Sequence, residues 1–206
     1  MSPPLAWMAR LRCVGCGYEA PLLGPTPWAC PGIAVDPGRE HVLVREVPPE
    51  AWRSDDGEAL PFVRWRRRLY SWHRALAAGH SDAEFVARIE AIAALVEASA
   101  GGSLLPTPLV RAPDLGRALG HRGPIQVKDE TGLPGGSHKI RHLLGILLHL
   151  EPLELRRGGS GPPLAVASCG NAAMAAAILA AAEERLLDVF VPEEASTEVV
   201  ERLRSL

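Results

Sequence analysis

The strongest constraint on the fold is an alternation of short apolar strands and helices that begins at residue 104. The pattern predicts strands at residues 125–130, 164–168 and 188–192, and helices at residues 138–151, 171–187 and 196–206. Strands separated by helices in this way favour an α/β fold with a parallel sheet built from βαβ units. Ligands bind beyond the carboxyl ends of strands in such sheets, so the turns that follow these strands are the first candidates for a site.

One of these turns leads a lysine into the start of a helix. The segment 127–141 passes through Gly135 and Gly136 before it reaches Lys139. Glycines let the backbone approach a ligand closely, and a helix N-terminus favours anions over an ammonium group. Lys139 is therefore a candidate nucleophilic amine that could form a Schiff base. The alternative is a solvated lysine at a helix start, which local chemistry alone favours.

A second small polar turn joins the strand at 164–168 to an alanine-rich helix. Asn171 lies near the start of that helix, where its amide could contact a bound ligand. Serine and asparagine at a helix start are more often simple caps, so this turn alone is weak evidence. Because both turns follow strand ends, they are expected to face one cleft, which moves the functional interpretation of Lys139 ahead of the solvated one.

Four motifs in the second half of the chain resemble those of one known superfamily. They are Pro-Thr-Pro-Leu at 106–109, Lys-Asp-Glu-Thr at 128–131, Gly-Ser-His-Lys-Ile-Arg at 136–141 and Ser-Cys-Gly-Asn at 168–171. Together, over residues 104–206, they resemble the pyridoxal-phosphate (PLP) enzymes of fold type II, the tryptophan synthase β-like superfamily, and in particular its threonine synthase-like branch. Four motifs in the family's order are far more specific than any one of them.

The resemblance implies roles for individual residues. Lys139 would carry pyridoxal 5'-phosphate through a Schiff base, and Asn171 would hydrogen-bond the ring hydroxyl of the cofactor. The remaining site residues would line the cofactor or the substrate: Ser168 and Gly170 on the cofactor side, Ser137 and His138 on the substrate side. A phenylalanine is commoner in the family at the position of His138, so the effect of this histidine is open.

The resemblance also implies an activity and an incomplete site. The expected reaction is a PLP-dependent β- or γ-elimination or replacement on an amino-acid substrate, as in threonine synthase-like lyases and synthases. Relatives are longer and have a second lobe with a phosphate-binding loop, which predicts a truncated or split chain, completed by a C-terminal chain or a homo-oligomer. The alternative is a non-catalytic scaffold or subunit that keeps the fold without turnover.

The N-terminal segment carries a cysteine knuckle. Cys13 and Cys16 have a spacing that suits zinc, and Cys30 with Trp28 resembles part of a second knuckle. Threonine synthase-like proteins often begin with such a ribbon. The second knuckle has only one cysteine here, and neither His41 nor Asp36 has the close spacing of a fourth ligand. A degenerate ribbon is the interpretation, with no metal assigned; a Cys13–Cys16 disulfide is an alternative.

Three domains are predicted: the ribbon-like segment at 1–45 with a strand at 41–45, a helical extension at 46–103, and the partial PLP domain at 104–206. Two helices are expected in the extension, and the second opens with a capping box at Ser81 and Glu84. One apolar stripe defines the first: Phe62, Trp65, Leu69, Trp72 and Leu76. The intervening arginines are expected to be solvated, although basic residues among aromatics also occur in RNA-binding proteins.

The overall composition is that of an ordinary globular protein. The 206 residues are 47% hydrophobic and 22% charged, with a net charge of −2, which gives no reason to expect nucleic acid or a membrane as partner. No segment has the length and apolar character of a membrane span or signal peptide, so a cytoplasmic location is expected.

Two minor features are expected to have structural explanations. The glycine run 158–161 precedes a strand instead of opening a helix, so a flexible connection is predicted and not a phosphate loop. His142 and His149 share one helix face, where packing or solvent exposure is favoured over metal binding. Arg68 and Tyr70 are weak substrate-side candidates, by the same resemblance.

Overall fold

The computed structural model of this chain describes residues 8–24, 27, 29–156 and 162–206, and for residues 152–156 only the backbone. The chain divides into two compact units. The first comprises residues 1–89 and 145–162, and the second residues 90–144 and 163–206. The domain boundaries predicted at residues 45 and 103 stay predictions.

The first unit contains a three-stranded antiparallel sheet. Strand β1 (Arg10–Cys13) lies between β2 (Glu19–Ala20) and β3 (Leu43–Glu46). The register pairs Cys13 with Leu43. Alternating side chains of β1 are buried, and its inward face packs with Tyr70 in a small apolar core. The strand predicted at 41–45 is thus present, shifted by one to two residues, whereas β1 and β2 were not predicted.

The predicted helix over the aromatic stripe is interrupted. The structure has α1 (Pro61–Arg64), a 3-10 turn (Arg66–Arg68) and α2 (Tyr70–Ala77). The interruptions fall at Trp65 and Leu69, whose backbones leave the helical region at ψ 14° and ψ 124°. The apolar period was recognised correctly, but it continues across two breaks that side-chain spacing alone does not reveal.

The prediction of solvated arginines is wrong for two residues, because Arg66 and Arg74 are only 6% and 1% exposed. The guanidinium of Arg66 donates two hydrogen bonds to the Asp82 carboxylate, both of 2.7 Å, and is also paired with Asp55. It donates a further bond of 2.9 Å to the carbonyl of Val63. A buried guanidinium is tolerated when its donors are satisfied in this way. Arg66 directly follows the break after α1, and these contacts hold the backbone on that side of the break.

Helix α3 (Asp82–Ala100) begins with the predicted capping box. The N–H of Glu84 donates to Ser81 Oγ (3.2 Å), and the N–H of Ser81 donates to the Glu84 carboxylate (2.6 Å). The helix is followed by Gly101, whose φ of +61° lies in the left-handed region that glycine adopts readily. Start and end of this helix are both confirmed.

The second unit contains two separate strand pairs. Strand β4 (Leu109–Arg111) is followed by the short helix α4 (Pro113–Ala118) and pairs antiparallel with β5 (Gln126–Lys128). This corrects the predicted topology, in which the strand at 125–130 belonged to a parallel sheet. Within the described part of the chain β5 does not join the strand pair β6–β7. The pairing partner β4 was missed because three residues give too short a pattern.

The other pair is parallel. Strand β6 (Leu164–Ala167) leads into helix α6 (Asn171–Ala182), and β7 (Leu187–Phe190) returns beside β6 in parallel register. Most of α6 is buried, and its alanines allow close packing. It ends five residues earlier than predicted, followed by Glu184 at φ 51°. Helix α7 (Thr197–Arg204) follows. The mixed α/β class is thus confirmed.

Some predicted features lie outside the description. Trp28 and the glycine run 158–161 fall outside the described residues. Among the helices that are described, none combines the length and the apolar character that crossing a membrane requires.

Candidate functional site

The glycine-rich turn before Lys139 has a backbone conformation that strongly favours glycine. In the 3-10 turn Pro134–Gly136, Gly135 has φ 76° and Gly136 has φ 72°, both in the left-handed region. Ser137 is extended, and its Oγ accepts a hydrogen bond of 3.4 Å from the N–H of Lys139. Helix α5 (Lys139–Arg156) begins at this lysine. The prediction that Lys139 lies in the first turn of a helix is confirmed.

The turn packs against helix α6. A Cβ atom added to Gly135 would lie 3.3 Å from Ile178 Cδ1 and 3.4 Å from Met174 Cγ. Both of those residues lie on α6, the helix that begins at Asn171. This close approach, and not a shared parallel sheet, places the turn before Lys139 against the helix that begins at Asn171. Gly135 is thus required both for its φ angle and for its lack of a side chain.

The start of α6 carries polar groups that have no side-chain partner among the described residues. Gly170 occupies the N-cap position, so no side chain caps the first N–H groups of the helix. Ser168 Oγ accepts a hydrogen bond of 3.3 Å from the N–H of Gly170, which fixes the turn. Asn171 is exposed, and within the described residues its side chain has no hydrogen-bond partner. Its amide is therefore free to contact a ligand.

The two lysines of the chain differ in their surroundings. Lys128 donates a hydrogen bond to the carbonyl oxygen of Thr107 and lies 3.8 Å from the Glu130 carboxylate. Lys139 is half-buried, and among the described residues its Nζ makes neither a hydrogen bond nor an ion pair. Of the two amines, only that of Lys139 is therefore available for another reaction partner.

A network around Glu130 joins the first three sequence motifs. The carboxylate of Glu130 accepts hydrogen bonds from the hydroxyl of Thr107 and from Arg141 Nε, the latter at 3.2 Å. Arg141 also donates to the carbonyls of Leu104 (3.0 Å) and Leu105 (2.7 Å). The Thr107 hydrogen bond, followed by the Arg141 guanidinium, holds the pKa of Glu130 below its usual value.

This network was not predicted from the sequence. Glu130 and Arg141 are charged residues of opposite sign in two of the recognised motifs, and that was the available signal. Their ion pair, with one-fifth of each side chain exposed, ties the first turn of α5 to the residue Glu130 after β5, and the Arg141 bonds to the Leu104 and Leu105 carbonyls tie it to the segment before β4. Arg141 in the first turn of α5 is thus anchored, while among the described residues the amine of Lys139 has no hydrogen bond or ion pair.

The residues predicted to line the substrate differ in their surroundings. Ser137 is tied to the backbone of Lys139, whereas His138 is exposed. Arg68, in the first unit, lies over the rings of Trp65 and Trp52 at 3.9 and 4.7 Å. Tyr70 is buried in the core of the same unit. Both are used in packing there.

His149, one of the two histidines predicted to share a face of α5, is also a packing residue. His149 stacks at a tilt on Tyr70, with ring centroids 5.7 Å apart, whereas His142 is exposed. Burial, and then the nearby cations Arg74 and Arg45, lower the pKa of His149 to about 4. Packing, as the sequence favoured, is the role the structure gives this residue.

A separate cluster of metal-binding side chains lies in the first unit. The sequence left the fourth position of the cysteine knuckle unassigned. The structure brings four potential ligand atoms within 4.8 Å of one another: the Sγ atoms of Cys13, Cys16 and Cys30, and one ring nitrogen of His41. We refer to these four residues as the cysteine–histidine cluster.

Comparison with known proteins identifies the second half of the chain. The family model for pyridoxal-phosphate dependent enzymes matches residues 102–206, just over half of the chain and nearly the same range as the four motifs. The search of curated proteins finds no match. The donor set fits the cofactor of this family: in the part of the chain that the structure describes, a lysine amine and an asparagine amide have no partners, and the N–H groups at a helix start have no side-chain cap. This chain belongs to the family of pyridoxal-phosphate dependent enzymes.

Proposed function

We propose that this chain is a PLP-dependent lyase or synthase of the threonine synthase-like type, which binds the cofactor through Lys139. Its substrate would be an amino acid with a leaving group on the β or γ carbon. The observation that carries the proposal is the environment of Lys139: a half-buried amine without a hydrogen bond or ion pair among the described residues, at the start of a helix and shortly after two glycines with positive φ.

The lysine count supports the assignment. The chain contains only Lys128 and Lys139, and Lys128 is engaged by the Thr107 carbonyl and by Glu130. A family that holds its cofactor through a lysine amine therefore has one suitable residue here. Glu130 and Arg141 then have a positioning role, because their contact and the Arg141 bond to the Leu104 carbonyl hold the first turn of α5, which begins at Lys139.

The remaining contacts follow from the unsatisfied groups at the start of α6. We assign the side-chain amide of Asn171 to the ring hydroxyl of the cofactor, and the turn formed by Ser168 and Gly170 to the same face. Ser137 and His138 would border the amino-acid substrate. Helix N-termini favour anionic groups, so the uncapped N–H groups of α6 suit the negative charge of a cofactor phosphate or substrate carboxylate.

The chemistry divides between cofactor and protein. PLP, when bound, supplies an electron sink for negative charge at the α-carbon of an amino acid. Lys139 Nζ is the protein group that we assign to removing the proton from that carbon. Its half-buried position would limit water access to the amine. The anchored Ser137 would hold the helix start in place during proton transfer.

Borohydride reduction tests the cofactor lysine. The purified chain is incubated with PLP, reduced, digested and mapped by peptide mass spectrometry. We expect the phosphopyridoxyl label on Lys139 and an unmodified Lys128, which serves as an internal control of equal chemistry. A label on Lys128 or on the N-terminal amine, or no label, would refute the assignment.

The reaction class needs a separate assay. The PLP-loaded protein is given amino acids that carry a leaving group on the β or γ carbon, and matched amino acids that carry none. Release of the leaving group from the first set alone is expected. Retention of PLP on Lys139 without turnover of either set would instead indicate the non-catalytic subunit.

A further inference from the structure

The cysteine–histidine cluster has the dimensions of a metal site. Cys16 Sγ lies 3.5 Å from Cys30 Sγ, and Cys13 Sγ lies 3.6 Å from His41 Nδ1. Zinc–sulfur bonds of about 2.3 Å and zinc–nitrogen bonds of about 2.0 Å imply tetrahedral edges of about 3.5–3.8 Å between ligand atoms. The two measured separations therefore match opposite edges of such a tetrahedron.

The fold of the first unit explains how the fourth ligand reaches the cysteines. Strands β1 and β3 pair so that Cys13 lies opposite Leu43, and the N–H of Val14 donates to the carbonyl of Val42 (3.0 Å). This register carries His41, the residue before Val42, to the knuckle. His41 lies eleven positions after Cys30 in sequence, so knuckle spacing could not reveal it.

Two glycines permit the loops to close on the cluster. A Cβ atom on Gly32 would lie 2.9 Å from His41 Cε1 and 3.0 Å from Cys16 Sγ, closer than real side chains approach. A Cβ atom on Gly15 would lie 2.0 Å from the carbonyl oxygen of Glu40. Arg39 also donates a hydrogen bond of 3.0 Å to the Gly15 carbonyl, which ties the two loops together.

The histidine is oriented as a metal ligand. His41 Nε2 lies 3.0 Å from the carbonyl oxygen of Asp36, which can only accept, so this nitrogen carries the proton. The lone pair of Nδ1 is then directed to the cluster. A backbone carbonyl on the far ring nitrogen is a common outer partner of metal-bound histidines. The N–H of Gly32 similarly donates to Cys30 Sγ (3.3 Å).

We propose that the cysteine–histidine cluster binds one Zn²⁺ ion as a structural site. Three thiolates and one imidazole form a closed tetrahedral set, which is typical of structural and not of catalytic zinc. The ion would join the β1–β2 turn to the loop between Cys30 and His41, and so stabilise the small sheet of the first unit. This goes beyond the PLP site, which lies on different residues.

A disulfide is the competing use of the same thiols. All four cysteines are free, and the 3.5 Å between the sulfurs of Cys16 and Cys30 is well beyond a bond of about 2.05 Å. Cys13 and Cys16, the pair considered from the sequence, are both directed into the cluster. Four converging donors, one of them nitrogen, favour a metal over a single bond between two sulfurs.

Metal analysis and cobalt substitution test the proposal. The full chain, purified without chelator, is expected to contain one zinc per molecule by mass spectrometry of the metal. Replacement of the ion by Co²⁺ should give the visible absorbance of tetrahedral cobalt with thiolate charge-transfer bands. Chelation of the zinc is expected to lower the Tm, because a structural ion contributes to folding.

Variants identify the ligands. Cys16 and His41 are the two ligands that are not fully buried. Cys16→Ser and His41→Ala are each expected to lower zinc affinity by more than about 100-fold, because losing a direct ligand should exceed the effect of losing a residue that only hydrogen-bonds a ligand. His41→Cys should retain one metal and shift the cobalt spectrum to that of four thiolates. Cys169→Ser, at the exposed thiol outside the cluster, is the matched control and should retain the metal.

Three results would overturn the proposal. They are a wild-type chain that binds no zinc or cobalt, full metal retention by both Cys16→Ser and His41→Ala, and a Cys16–Cys30 disulfide in the native protein. The borohydride label on Lys139 is independent of all three, so failure of the zinc site and failure of the proposed function are distinguishable.

Discussion

The two units treat their polar side chains differently. In the first unit the buried Arg66 is held by Asp82 and Asp55, so its charge is compensated inside the protein. In the second unit Lys139 and Asn171 lack partners among the described residues, although the residues around them are anchored. Buried charges need partners for stability, whereas a ligand site must keep polar groups free. The comparison separates stabilising from functional residues.

The largest expected effect is at the free lysine. Lys139→Ala should abolish the visible absorbance of bound PLP, because it removes the amine that forms the covalent link. Its effect on the free energy of unfolding should be small, below about 0.5 kcal/mol, since among the described residues Nζ makes no hydrogen bond or ion pair that could be lost. Absorbance spectra and denaturant unfolding of the same preparation measure both quantities. The comparison fails if the variant keeps the absorbance.

The buried histidine of the first unit should make stability depend on pH. The pKa of His149 is about 4 in the folded protein and about 6.5 when unfolded, so the unfolded state binds more protons between these values. Stability should therefore fall as the pH drops from about 6.5 to about 4, by up to about 3 kcal/mol. His149→Gln should remove this part of the pH dependence.

The exposed histidine on the same helix is the control for that measurement. His142→Gln makes the same chemical change at an exposed position of that helix, so it shows what the substitution itself does. Equal slopes for all three proteins between pH 4 and about 6.5 would contradict the burial argument.

The ion pair of Arg66 should contribute to stability and not to cofactor binding. Asp82→Asn removes the charge that accepts two bonds from Arg66 and one from Trp72, and should cost about 1–3 kcal/mol in the free energy of unfolding. Asp114→Asn, which breaks a fully exposed pair with Arg117, should cost less than about 0.5 kcal/mol. If Asp82→Asn lost PLP binding while its free energy of unfolding was unchanged, the assignment of this ion pair to stability alone would be wrong.

The smallest expected effect concerns the glycine turn. Gly135→Ala places a side chain at φ 76° and within 3.3 Å of Ile178, at a cost of about 1–2 kcal/mol. Gly132→Ala, in the same segment but with open space around it, is the matched control and should change stability by less than about 0.5 kcal/mol. Equal PLP affinity in both variants would show that the turn does not position Lys139.

Local elements were predictable where the pattern was long. Helix α3 has its capping box at Ser81 and its glycine stop at Gly101, and both ends are as expected. Strands β6 and β7 lie within one or two residues of their predicted bounds. The region from 58 to 80 failed, because an apolar period does not show that the helix is interrupted at Trp65 and Leu69. The short β4 failed because three residues carry too little pattern.

By itself, the sequence determined the family and the candidate lysine, because four motifs in order identify a cofactor chemistry that depends on residue type. Only the tertiary structure decided how those motifs meet. Glu130 joins Thr107 and Arg141, Gly135 packs against α6, and the β1–β3 register carries His41 to the cysteines. These contacts join residues distant in the chain, and strand register and side-chain packing bring them together, which no local spacing encodes.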